Sequence, residues 1–96
     1  MRRMGLELLD IQFQLEKRFR IKFRPGEIVA RWRHRVPPDF TVGELHGLVC
    51  RKIRRLGRAV PADSLRGVRE VVACALALKV EEVSDAAWLV RELGAG

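Results

Sequence analysis

The sequence predicts a small all-α protein, on three observations. Apolar residues recur at helical spacing in three long stretches, a capping box opens the second of them, and no pair of alternating strands is evident. Ninety-six residues suffice for one modest core and not for a deep catalytic cavity with a second lobe. The expected bundle has three principal helices, one or two short ones and one long loop.

The first helix is expected from Leu6 to Phe19, where apolar residues fall in two stripes. Leu8, Ile11, Leu15 and Phe19 lie on one side, and Leu6, Leu9 and Phe13 on the other, so the helix needs two neighbours. Ile21-Lys22-Phe23 reads as an extended link dropping two side chains into the core, punctuated by Pro25-Gly26. Glu27 to His34 forms a short helix burying Ile28, Val29 and Trp32, stopped by Pro37-Pro38. Thr41-Val42-Gly43-Glu44 is the capping box; the helix it opens runs to about Leu56 with Val42, Leu45, Leu48, Val49, Ile53 and Leu56 on its apolar face. Gly57 is its C-terminal stop, arginines occupy its last turn, and residues 57–62 form a linker. Asp63 or Ser64 caps the next helix, whose stripe is Leu65, Val68, Val72, Ala75 and Leu76, with Val71 and Leu78 at the margin. A short turn at Glu81-Glu82-Val83-Ser84 leads into an irregular segment pinned by Trp88, Leu89, Val90 and Leu93.

These residues carry a family likeness. Val68-Arg69-Glu70-Val71-Val72-Ala73, Leu78-Lys79-Val80-Glu81-Glu82-Val83 and Trp88-Leu89-Val90-Arg91-Glu92-Leu93-Gly94-Ala95 together resemble the first helix and long first loop of acyl carrier proteins. Leu6-Glu7-Leu8-Leu9-Asp10-Ile11 with Leu15-Glu16-Lys17-Arg18-Phe19 is similar to that family's second helix, Glu27 to His34 to its short third, and Thr41-Val42-Gly43-Glu44-Leu45 to the opening of its last. The order inside each block is kept and the blocks are exchanged: 1–56 match the second to last helices, 63–96 the first helix and loop. The resemblance therefore implies a circularly permuted carrier joined through 57–62, or the end of one carrier and the start of another in a tandem array, completing its fold by swapping halves between two copies.

In that family a serine at the head of the second helix bears 4′-phosphopantetheine. Here the matching position is Gly5, preceded by Met4, so no cofactor is expected at the usual place. Asp63-Ser64-Leu65 repeats the attachment triplet elsewhere, but a helix cap accounts for it, and phosphopantetheine is expected only if Ser64 is the modified residue. Leu6, Leu9 and Phe13 correspond to the face with which carriers meet their enzymes; burial against this chain or a dimer mate is the alternative. The resemblance thus implies a non-catalytic interaction module of fatty acid or polyketide biosynthesis, with an acyl-chain-processing enzyme as partner or a swapped homodimer. An active carrier modified at Ser64 is the second reading.

The net charge of +7 admits a third, nucleic acid binding by Arg31, Trp32, Arg33, Arg51, Lys52, Arg54 and Arg55, with Trp32 as a stacking surface. No recognition-helix or RNA-module pattern accompanies them, and a solvated basic face is the plainer account. The basic run Lys17, Arg18, Arg20, Lys22, Arg24 departs from the acidic second helix usual in carriers. His46 and Cys50, four residues apart, share a helix face, but two ligands make no metal site, and His34 and Cys74 would have to join them. With no glycine-rich phosphate loop and no His-rich cluster, an enzyme is not expected. Two distant cysteines and the absence of a signal-type stretch or membrane-spanning run suggest a reducing cytoplasm.

Overall fold

The Thr41 capping box forms as its spacing predicts: Glu44 N–H donates to Thr41 Oγ1 at 3.1 Å and Thr41 N–H to Glu44 Oε1 at 2.9 Å. It opens one of four helices in a computed structural model that describes residues 6–36 and 38–94. In chain order these are α1 (Leu6–Phe19), α2 (Glu27–Trp32), α3 (Val42–Arg55) and α4 (Ser64–Leu76), followed by a 3₁₀ turn, Val80–Glu82. The described residues contain no strand, and the molecule is a small helical bundle.

Helix α1 buries Leu8, Ile11, Leu15 and Phe19 and turns Leu9 and Phe13 outward. It ends at Arg20, whose φ of 54° is left-handed, and Ile21 N–H reaches back to Glu16 O at 3.3 Å, closing the last turn. Ile21 and Phe23 then enter the core as expected, the second steered by its N–H donating to the Glu16 carboxylate at 2.8 Å.

Helix α2 stops at Trp32, two residues before His34. It buries Ile28 and Trp32, but Val29 is exposed, correcting the expectation that all three are inside. A six-residue helix lying on one neighbour has a single inner face, and Val29, about 100° round from Ile28, misses it. The Trp32 ring instead stacks on Phe40, with centroids 4.3 Å apart.

Helix α3 buries the apolar face expected of it except at its end, where Leu56 is 57% exposed. Leu56 is the C-cap, and the chain turns away there through Gly57 (φ 73°), with Arg58 N–H donating to Ile53 O at 3.3 Å. Residues 57–62 are a linker, fastened by the Arg58 guanidinium donating to the Phe19 and Arg20 carbonyls at 2.6 and 3.0 Å.

Helix α4 lies against α1 and α3. Its buried stripe is centred on Val68, Val71 and Val72, so Val71 is core rather than margin and Ala75 and Leu76 are only half-buried. Asp63 is the N-cap but gives no side-chain cap bond; the turn is held by backbone, Ser64 N–H to Pro61 O at 3.1 Å. Gly67 sits where α4 meets α1, and a Cβ there would lie 2.9 Å from Phe19 Cζ.

Beyond α4 the chain is irregular as expected, yet firmly placed. Leu89 and Val83 are fully buried, and an isolated antiparallel bridge joins Thr41 to Trp88. Val42 N–H donates to Ala87 O at 3.0 Å, Gly43 N–H to Asp85 O at 2.7 Å, and Leu89 N–H to Phe40 O at 2.9 Å. The tail thus covers the orphan donors at the head of α3.

Candidate functional site

The two stripes of α1 have opposite fates. Ile11 and Leu15 are fully buried, whereas Leu9 and Phe13 are 40% and 53% exposed, and no element among the described residues covers them. The Leu6 side chain and the position of Gly5 lie outside the described residues. Phe13 forms one wall of an open groove shared with Lys17, Arg20 and Lys22.

At the head of α1 the tail returns. Leu8 and Val90 line the same cavity of about 170 Å³, walled by Val29, Trp32, Pro38 and Phe40, with Asp39 at its edge. Asp39, whose side chain is 1% exposed, ties the tail down. Its Oδ1 accepts from Phe40 N–H at 2.8 Å and Val90 N–H at 2.9 Å; its Oδ2 accepts from Arg91 N–H at 3.1 Å and Arg91 Nε–H at 3.0 Å. Burial alone would push this carboxyl's pKa up, but the three backbone N–H groups and Arg91 outweigh it and hold the pKa below the usual value. The Arg91 guanidinium also lies 4.1 Å from the Trp88 ring centroid. The sequence carries only a faint sign of this contact, an acid between Pro38 and Phe40 with no capping role of its own. The pair Met4 and Ala95, expected to be neighbours if the halves are permuted, lies outside the described residues.

Ser64 is 4% exposed and its role is tertiary, correcting the helix-cap account. Its Oγ lies 2.7 Å from His46 Nε2, and Cys50 Sγ lies 3.2 Å from the same nitrogen. Burial, then the positive charge of Arg54, lowers the His46 pKa and favours the neutral imidazole that this cluster needs. Both cysteines are free, Cys50 buried and Cys74 exposed, and no three His, Cys, Asp or Glu residues among those described are grouped to hold a metal. A Ser–His pair invites comparison with a nucleophile and base, yet the hydroxyl is enclosed and no carboxylate bonds to the imidazole among the described residues.

Much of the positive charge is structural. Lys52 pairs with Glu27 at 2.8 Å and lies over the Phe23 ring, and burial of Glu27 is outweighed by Lys52 and the Arg24 N–H, so its pKa falls. Arg35 donates to Glu44 at 2.8 Å and, above all other causes, lowers the Glu44 pKa to about 2. Arg18 pairs with Glu70 at 2.7 Å, and Arg69 donates to the Val83 and Val80 carbonyls. Trp32 is buried against Phe40, so it offers no stacking surface, and Arg31 reaches only its outer side. Arg33, Arg51, Arg54 and Arg55 are exposed. No described helix is long and apolar enough to cross a membrane.

No family model matches this chain, and no curated protein or solved structure matches it significantly.

Proposed function

We propose that this chain is an acyl-carrier-like interaction module, circularly permuted, without a prosthetic group, which presents Leu9 and Phe13 of α1 to an acyl-chain-processing protein partner. The observation that carries the reading is the return of the tail to the head: Val90 and Leu8 face one cavity, so the segment resembling a carrier's first loop passes beside the helix resembling its second. The exposure of Leu9 and Phe13 beside fully buried neighbours supports a docking role for that face. Against the active-carrier reading, the Ser64 hydroxyl is enclosed and engaged by His46, where a transferase has no access. Against nucleic acid binding, Trp32 is consumed by the core and Lys52 by Glu27.

Incubation with coenzyme A and a broad-specificity phosphopantetheinyl transferase is expected to leave the intact mass unchanged. A gain of one cofactor mass that disappears in Ser64→Ala overturns the reading. Sedimentation distinguishes closure within one chain, a monomer, from halves swapped in a dimer.

A further inference from the structure

Arg20 occupies the left-handed residue that ends α1, a place that suits glycine and strains any side chain. Strain of this kind persists where the surroundings over-determine it, and it concentrates at working surfaces. The Arg58 guanidinium, clamped on the Phe19 and Arg20 carbonyls, supplies the constraint. The side chain it displays joins Lys22, Lys52, Arg55, Ile21 and Leu56 around a cleft of about 280 Å³. Lys52 is neutralised by Glu27, but among the described residues Arg20, Lys22 and Arg55 have no carboxylate partner. Beside these cations Leu56 offers an exposed apolar surface at the end of α3.

We infer that this cleft is the docking site for an acidic amphipathic segment of a partner protein, its carboxylates over Arg20, Lys22 and Arg55 and an apolar side chain on Leu56. The inference rests on the interaction-module reading and extends it to the chemistry of the partner. Three unpaired cations without a buried counter-charge call for carboxylates or phosphates. A protein segment is favoured over a nucleic acid because the exposed aliphatic side chain of Leu56 lies among the cations, where an amphipathic segment can seat an apolar residue beside its carboxylates and a phosphate backbone cannot.

The test is fluorescence anisotropy with three labelled probes: a short leucine–glutamate amphipathic peptide, its glutamine counterpart, and a single-stranded oligonucleotide of matched charge. The acidic peptide is expected to bind best, and Arg20→Gly to weaken it roughly fivefold, the size of one favourable ion pair. Arg20→Gly also relieves the strained backbone, so it is expected to melt higher, which removes misfolding as an explanation of lost binding. Arg33→Ser deletes the same charge from a residue that does not line the cleft and is expected to leave binding unchanged. Equal binding of the glutamine peptide, tighter binding of the oligonucleotide, or unaltered affinity in Arg20→Gly overturns the proposal. Loss in Arg20→Gly with retention in Phe13→Ser places the acidic segment in the cleft and leaves the outer face of α1 to a separate contact; the reverse overturns the cleft and leaves that face standing.

Discussion

The carboxylate of Asp39 and the guanidinium of Arg91 stand 3.0 Å apart across 52 residues of chain, and the acid is buried while the base is half exposed. The asymmetry decides which partner matters. Asp39→Ala strands the Phe40, Val90 and Arg91 N–H groups, and it is expected to cost about 3 kcal/mol. Arg91→Ala leaves Asp39 three backbone donors and is expected to cost under about 1 kcal/mol. Urea melts compare the two, and amide exchange at Val90 and Arg91 should quicken sharply in Asp39→Ala only.

Acid should weaken the fold over two separate pH ranges. His46 has a lowered pKa in the fold, so its contribution is complete above its ordinary value of 6.5 and is lost as pH falls below that. Glu44, Asp39 and Glu27 are also lowered, so theirs is complete above the ordinary values of 4.5 for the glutamates and 3.8 for Asp39 and is lost on acidification below them, for Glu44 down to about 2. Its ion pair with Arg35 is a third exposed, which limits the Glu44 share to the order of 1 kcal/mol. Thermal melts across both ranges are expected to lose the upper decline in His46→Gln and to lose part of the lower one in Glu44→Gln.

Two helix ends carry the wrong residue for their backbone. Arg20 and Ala77 have φ of 54° and 56°, whereas Gly57 at the end of α3 suits its 73°. Ala77→Gly and Arg20→Gly are each expected to stabilise by about 0.5–1 kcal/mol, a rise in Tm of a few degrees. Gly57→Ala should lower Tm by a similar step.

The glycines inside helices separate in the same way. Gly47 in α3 is exposed and a Cβ there meets nothing within 4 Å, so Gly47→Ala is expected to add about 0.5–1 kcal/mol through helix propensity. At Gly67 the same substitution drives a methyl against the buried Phe19 ring. The gain in propensity is expected to be outweighed by overpacking of about 1–3 kcal/mol. Denaturant midpoints of the two variants should move in opposite directions.

By itself the sequence determined the helices and most of the core. The stripe Leu8, Ile11, Leu15, Phe19, the Thr41–Glu44 box, the stop at Gly57 and the irregular tail all follow from residues within about one or two turns of each other. Tertiary structure alone decided the rest. It set the outward turn of Leu9 and Phe13, the choice of Phe40 as the ring on which the buried Trp32 stacks, the exposure of Val29 and Leu56, and the bonding of Asp39 to the tail and of Ser64 to His46. Left-handed ends at Arg20 and Ala77 leave no mark in the sequence, because the legible sign of such an end is glycine and here the fold imposes the conformation on other residues. The division has one cause: periodicity and capping act between near neighbours in the chain, whereas a buried polar group or a left-over apolar face takes its meaning from partners tens of residues away.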